Sequence, residues 1–281
     1  MHKLIKLHMK RNLTRIAIAL IAVTFTFSAC KKSETRVTPV TTPQPNPDAV
    51  AKQIALSLYN SLTGQMGGTN INDGIKEPSS IASHNSKSLD AVSSLCGFEL
   101  DTAWQNYSVV NDTTYWTSSK FNFKNLCVLS PNVNGFAAYD SIRTNVSTSA
   151  FLNEYTNVQK YTAVALDNTF KVTGVNGSIF TSIANTVYPT GSDVQEYHTI
   201  VCNYNLVALV IDLSGATADI KGGVATYKSS TKDITAGSNQ QPVVINYTGN
   251  IIFLGNHTAK LTIDPKHYYT INFLTKTITP L

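Results

Sequence analysis

Charged residues are scarce in this sequence, and over most of its length neither sign prevails. Only 14% of the 281 residues are Asp, Glu, Lys or Arg, and the formal net charge is +5. Five of the 22 basic residues and none of the 17 acidic ones occur in residues 1–29, so the remaining chain is formally neutral. Because nucleic-acid binding requires a cationic surface, this balance argues against a nucleic-acid partner.

Motifs of common catalytic sites are also missing. The chain has no Gly-x-Ser-x-Gly elbow, no Gly-rich phosphate-binding loop and no His-Glu-x-x-His helix. Its densest group of metal-ligating residue types is Asp193, Glu196 and His198, at the expected start of a strand where charged residues are ordinary. We therefore expect neither a metal site nor a cofactor. A glycosidase needs only two suitably spaced carboxylates, so hydrolysis stays open.

Residues 1–29 contain the three parts of a secretory signal peptide. A basic stretch ends at Arg15, a mostly apolar stretch covers residues 16–27, and the small residues Ser28 and Ala29 follow. The apolar stretch would span about 18 Å as a helix, well short of the ~30 Å hydrocarbon core of a bilayer. The pattern predicts export rather than a permanent transmembrane helix.

The sequence Phe-Ser-Ala-Cys at 27–30 resembles the lipobox of bacterial lipoproteins. In that family the Cys is acylated and becomes the first residue after cleavage. The resemblance implies that Cys30 carries the lipid, palmitate among its chains, and that the membrane is the protein's first partner. Lys31 follows, where the family's inner-membrane retention signal is usually Asp, which implies the outer membrane of a bacterial cell envelope. Ordinary secretion with cleavage near Ala29 is the alternative.

Residues 30–48 form the predicted tether between the lipid and the folded domain. They combine Thr and Val with four prolines, Pro39, Pro43, Pro45 and Pro47. This composition favours extended backbone, which reaches about 55 Å at ~3.1 Å per residue. Residues 49–281 are then expected to form a helix plus an all-β domain held clear of the headgroups.

One amphipathic helix is predicted over residues 48–63. Asp48 suits its N-cap and Gly64 suits the position after its last turn. Apolar residues recur at every fourth position, namely Val50, Ile54, Leu58 and Leu62. This stripe predicts that the helix packs on the face of a sheet.

Beyond residue 98, apolar and polar residues alternate with the period of a β-strand. Residues 250–278 predict three consecutive antiparallel strands separated by turn residues. Asn176-Gly177 predicts a further turn, and the unbroken apolar run 206–211 predicts a strand covered on both faces. The predicted fold is mainly β, an antiparallel meander, sandwich or curved open sheet with the helix packed on it. Residues 251–273 also resemble the ends of uncharacterised bacterial lipoproteins.

Three cysteines remain beyond Cys30, namely Cys96, Cys127 and Cys202. In an oxidising compartment this number favours one disulfide and one free thiol. We expect the pair Cys96–Cys127, because both flank one strand-rich segment while Cys202 lies within a predicted strand. Three reduced, buried cysteines are the alternative.

Aromatic residues are concentrated between residues 104 and 139. They include Trp104, Tyr107, Tyr115, Trp116, Phe136 and Tyr139, and with them both tryptophans of the chain. On a strand the adjacent Tyr115 and Trp116 would point to opposite faces, which would expose one of them. Exposed aromatic rings offer rigid contact area to sugars and peptides, so this segment is the candidate ligand site; packing in the core is the alternative.

The sequence thus leads to an exported lipoprotein whose β-domain binds a glycan, lipid or protein partner without catalysis, or has a structural role. The first alternative is a cell-envelope hydrolase acting on glycans with carboxylates that the sequence does not identify. A lipid carrier is a third possibility, and it would require a continuous apolar cavity under a curved sheet.

Overall fold

The computed structural model describes residues 46–75, 95–188, 196–234 and 242–281. The predicted signal peptide, the predicted lipidation site Cys30 and the predicted tether up to residue 45 lie outside these residues. Pro47–Leu281 folds as one unit. No helix in the described ranges is long and apolar enough to cross a bilayer.

One α-helix and eleven strands make up the regular structure of the described residues. The helix, α1, comprises Pro47–Leu62. The strands are β1 (Glu99–Val110), β2 (Thr113–Leu126), β3 (Gly135–Ser147), β4 (Phe151–Ala165), β5 (Val172–Val187), β6 (Glu196–Asp212), β7 (Asp219–Ile234), β8 (Val243–Gly255), β9 (Thr258–Ile263), β10 (His267–Asn272) and β11 (Thr277–Pro280). They form one antiparallel sheet in chain order. The prediction of a mainly β fold is confirmed, as an open meander with one helix packed on it.

The helix begins and ends close to the predicted residues. Its apolar stripe is buried, and Ile54, Leu58 and Leu62 are almost completely inaccessible to solvent. The backbone leaves the helix at Gly64, whose φ of 67° lies in the left-handed region that favours glycine. The predicted N-cap, Asp48, is wrong, because it lies inside the first turn of the helix. The apolar stripe and Gly64 therefore account for the position of α1.

The sheet curves around α1. The helix contacts β5 and also β9, β10 and β11. In a flat sheet β5 and β11 would lie roughly 29 Å apart at ~4.8 Å per strand, whereas a helix is only about 10 Å across. We call the side facing α1, which bears Phe121 and Ile251, the concave face, and the opposite side the convex face.

Aromatic and aliphatic side chains fill the space between the concave face and α1. Tyr59 of the helix stacks on Phe273, with ring centroids 4.4 Å apart. The Tyr204 hydroxyl donates a hydrogen bond of 2.7 Å to the carbonyl of Ile54. The space that a lipid carrier would need beneath the sheet is thus occupied by α1 and its contacts.

The prediction that residues 206–211 are covered on both faces is wrong. Val207 is 46% exposed, while Leu206, Leu209 and Ile211 are all buried. A bulge between Val207 and Val210 inserts an extra residue, and Ala208 there has a φ of 50°. The bulge changes the alternation, so an unbroken apolar run supplies several residues to the concave face while its other members meet solvent.

The turn predicted at Asn176-Gly177 is also wrong, because both residues lie inside β5. Asn176 lies opposite a bulge of β6, where two residues of β6 face one of β5. The Asn176 side chain accepts a hydrogen bond of 2.8 Å from the backbone N–H of Ala208. A Cβ at Gly177 would come within 2.3 Å of the Lys160 carbonyl oxygen, which explains the glycine. The Asn-Gly pair therefore fits one strand to the irregular part of the next.

The predicted disulfide is confirmed. Cys96 and Cys127 are bonded, with Cα atoms 5.7 Å apart. They precede β1 and follow β2, so the bond closes the open end of this hairpin. Cys202 is free and buried, and its Sγ lies 3.2 Å from the Ser229 hydroxyl.

Candidate functional site: a groove beside Trp116

The pairing of β1, β2 and β3 places the candidate aromatic residues in a defined lattice on the convex face. Antiparallel pairing aligns three rows of three residues, which are Ala103–Lys120–Ser141, Gln105–Ser118–Arg143 and Tyr107–Trp116–Asn145. Rows on one face are two residues apart along each strand, which separates them by about 7 Å. Aromatic, hydroxyl and cationic side chains therefore adjoin one another on one surface.

A groove of about 580 Å³ opens over these rows. Its lining residues are Ala103, Trp104, Gln105, Trp116, Ser118, Ser119, Lys120, Ser141 and Arg143. Ser118 lies at the centre, between Trp116 and Lys120 along β2 and between Gln105 and Arg143 across the sheet. The small side chain of Ser118 among longer ones explains why the surface is recessed here.

The two cations of the groove are exposed, and in the described part of the chain neither has a carboxylate partner. Neither Lys120 nor Arg143 forms an ion pair with a described residue, whereas Lys124 further along β2 lies 3.7 Å from a Glu99 oxygen. No acidic residue is among the described residues that line the groove. The groove therefore offers two cations that are not engaged in ion pairs beside an aromatic ring.

The structure divides the predicted aromatic residues between the two faces. Tyr107, 65% exposed, is the direct cross-strand partner of the partly exposed Trp116. Tyr139 also lies on the convex face, but it pairs with Asn122, six residues along β2 from Trp116. By alternation, Trp104 and Tyr115 belong to the concave face, and Phe136 is a core residue packed on Phe123. Of the predicted set, Trp104 and Trp116 line the groove, and Tyr107 adjoins Trp116 as its cross-strand partner.

Sequence reasoning missed the polar members of the groove. Ser118 and Lys120 could have been found from Trp116, since residues two and four positions along a strand share its face. Gln105 and Arg143 reach the groove only through strand pairing. Their registers depend on the turns that join the three strands, and no sequence motif singled out these residues.

A second polar cluster lies on the concave face and attaches the segment after α1 to the sheet. The Gln159 side-chain oxygen accepts a 2.8 Å hydrogen bond from the Thr69 backbone N–H. Its amide donates to the Ser61 carbonyl at 2.7 Å. The Ser61 hydroxyl in turn donates to the Asn157 side-chain oxygen at 2.7 Å. Buried polar groups satisfied in this way fix the segment in one place on β4.

Asp140 is the ionisable member of this buried cluster. Its residue is only 2% exposed, and this burial raises the pKa of the carboxyl from its ordinary 3.8 to about 7. Hydrogen bonds from Ser119 and from the backbone of Thr69 offset part of that rise. Gly68 packs directly on the carboxyl, where a Cβ would meet its Oδ2 at 2.5 Å. Asp140 therefore lies behind the sheet from the groove and serves packing there.

The cluster of metal-ligating residue types noted in the sequence does not assemble in the described residues. Asp193 lies outside them, and His198 is hydrogen-bonded through Nδ1 to Asp233 on the neighbouring strand. No group of three or more His, Cys, Asp or Glu side chains suited to a metal occurs in the described parts of the chain.

Comparison with known proteins assigns no family to this chain. No protein-family model matches it, and no curated protein and no solved structure is significantly similar to it. Its function must therefore be inferred from the chemistry of the groove.

Proposed function

We propose that this chain is a lipid-anchored, exported binding protein that recognises a saccharide on the convex face of its β-sheet. The observation that carries the proposal is the cross-strand pair Tyr107–Trp116, of which Trp116 lines the groove. Both residues lie on paired strands of one antiparallel sheet, so their backbone positions are fixed before a ligand arrives. This preorganisation lowers the entropy cost of binding.

The remaining lining of the groove suits the hydroxyl groups of a sugar. Ser118 and Ser141 offer hydroxyls that donate or accept, and Gln105 offers an amide that does both. An aromatic ring covers the apolar face of a sugar while these groups bond its rim. The combination favours a carbohydrate over a wholly apolar ligand.

A glycan array probed with the full-length chain in detergent tests the saccharide proposal. Trp116→Ala should weaken binding to any bound glycan by tenfold or more, because aromatic anchors typically supply over ~1.4 kcal/mol. Tyr115→Ala is the matched control, since Tyr115 is the adjacent residue on the other face. Circular dichroism verifies that both variants fold. Unchanged binding in Trp116→Ala, or an equal loss in Tyr115→Ala, would contradict the proposal.

The anchor is the second part of the proposal, and it rests on the sequence around Cys30. Small residues directly before a cysteine, after a signal-like apolar stretch, support lipidation there. Two or three acyl chains hold a protein stably on a bilayer, whereas one does so only marginally. The outer membrane of a bacterial envelope is the proposed location.

Metabolic labelling with palmitate tests the anchor. Cys30→Ser should abolish the label and move the protein from the membrane to the soluble fraction. Cys202→Ser should leave label and fractionation unchanged, because this buried thiol lies within β6. Persistent label in Cys30→Ser would place the lipid elsewhere.

A further inference from the structure

We infer that the groove beside Trp116 selects acidic saccharides, specifically oligosaccharides whose sugar rings carry a carboxylate. The inference rests on the proposed function, because it names the ligand class of the same groove. It follows from the two cations that line the groove and from their positions relative to Trp116.

Arg143 is the groove residue best suited to bind a carboxylate. Its planar guanidinium presents donors in a fork that matches the two oxygens of a carboxylate. It lies directly across the sheet from Ser118, at the centre of the groove, and its side chain is exposed. A carboxylate over Ser118 would therefore lie within reach of a paired hydrogen bond from Arg143.

Lys120 extends the positive charge along the groove. Its Cα lies four residues from that of Trp116 along β2, roughly 14 Å at ~3.4 Å per residue. A ring stacked on Trp116 would place the next sugars of an oligosaccharide toward Lys120. The alignment predicts recognition of a chain with successive charges rather than of one isolated anion.

Two carboxylates flank the groove without neutralising it. Asp101 lies diagonally from Lys120, and Glu154 lies diagonally from Arg143, in the register of the strands. Neither forms an ion pair with a groove cation. A bound carboxylate would be repelled by Glu154, so removal of that charge should strengthen binding of an acidic saccharide.

Probes that differ only in charge test the inference most directly. Three acidic oligosaccharides represent the class, namely oligogalacturonate, oligomannuronate from alginate, and hyaluronan fragments. The methyl ester of each keeps the sugar and removes the charge. Calorimetry with the full-length chain in detergent should show at least one acid bound tenfold or more tightly than its ester, with an affinity that falls as salt rises.

Matched variants assign the selectivity to named side chains. Arg143→Gln should weaken binding of the acid about tenfold and leave binding of the ester unchanged, because only the charged carboxylate accepts the strong hydrogen bonds of the guanidinium. Glu154→Gln should strengthen binding of the acid and leave binding of the ester unchanged. Lys228→Gln and Lys260→Gln are controls from β7 and β9 on the convex face, away from the groove, and should change neither affinity.

The outcomes separate this inference from the proposed function. Suppose that acids and esters bind with equal affinity and that Trp116→Ala abolishes binding of both. The groove then binds saccharides without regard to charge, so the inference fails while the proposed function stands. If no acidic probe binds, the inference fails whatever neutral glycans show. A loss in Lys228→Gln equal to that in Arg143→Gln would mean diffuse charge attraction and would also overturn it. Binding of phosphatidylglycerol vesicles, with no binding of the acidic sugars, would overturn the inference as well.

Discussion

The two faces of strands β2 and β3 differ more than their sequences suggest. On the concave face Ser119 and Asp140 are buried together under the segment that follows α1. On the convex face their immediate neighbours, Ser118 and Ser141, line an open groove. One step along the chain thus separates a residue that stabilises the fold from one available to a ligand.

This contrast explains where mutations should act. A concave side chain is surrounded by protein, so its loss leaves a cavity or an unsatisfied group. A convex side chain is surrounded by solvent, and its loss changes stability little. The proposed binding residues can therefore vary without loss of the fold.

The largest expected effect compares two adjacent isoleucines of β8. Ile251 is fully buried, whereas Ile252 is 39% exposed on the other face. Ile251→Ala should lower the free energy of unfolding by about 2–5 kcal/mol, and Ile252→Ala by less than about 1 kcal/mol. Urea unfolding monitored by circular dichroism measures both. Similar losses in the two variants would mean that the convex face at β8 is covered by something in the folded chain.

The alternation of buried and exposed residues along each strand made much of the fold predictable from the sequence. Alternation identified the strands near the C-terminus, and the spacing of apolar residues identified α1. Periodicity failed at Ala208, because a bulge shifts the alternation without a fixed sequence signal. The Asn-Gly pair at Gly177 was misread as a turn, because it lies opposite that bulge inside β5. The groove was predicted only through Trp104 and Trp116, with Tyr107 beside it, since Arg143 joins it by strand pairing that local sequence does not encode.

A second prediction concerns pH and the buried carboxyl of Asp140. Its pKa is raised from 3.8 to about 7 in the folded protein. Between these values the unfolded chain loses a proton that the folded chain keeps, so stability falls as pH rises from about 4 to 7. The upper bound on this loss of folding free energy is about 1.4 kcal/mol per pH unit, or roughly 4 kcal/mol over the whole range.

Asp140→Asn should remove this part of the pH dependence, because an amide of similar size cannot ionise. Urea unfolding at pH 5 and at pH 8 gives the slope for each protein. Asp101→Asn is the matched control on the convex face, where the carboxylate is exposed, and it should keep the slope of the wild type. An unchanged slope in Asp140→Asn would show that the carboxyl is hydrated in the folded protein.

A third prediction asks how far the groove depends on the hairpin that carries it. β1 pairs only with β2 among the described strands, and the Cys96–Cys127 bond closes the open end of that pair. For a sequence separation of 31 residues the chain-entropy model assigns the bond about 3.5 kcal/mol. Replacing both cysteines by Ser should therefore lower stability by up to that amount.

Hydrogen exchange followed by mass spectrometry locates the effect of losing the bond. Amides of β1 should exchange faster in the double Ser variant, whereas those of β6 should change little, since strands on both sides hold β6. Uniform acceleration over all strands would instead mean that the hairpin opens only when the whole sheet unfolds.

The smallest expected effect belongs to Glu99, an exposed carboxylate of the convex face. A hydrogen bond from Asn122 and, second, the charge of Lys124 lower its pKa. This contribution to stability is present above the ordinary pKa of 4.5 and is lost as pH falls, opposite in sign to that of Asp140. Because solvent and salt screen the pair, Glu99→Gln should leave the urea midpoint unchanged within error.

The pKa of Glu99 itself is measurable by carbon-detected NMR titration. Asn122→Ala should raise it toward 4.5 by more than Lys124→Met does, and the reverse order would mean that the ion pair, rather than the hydrogen bond, controls this carboxylate.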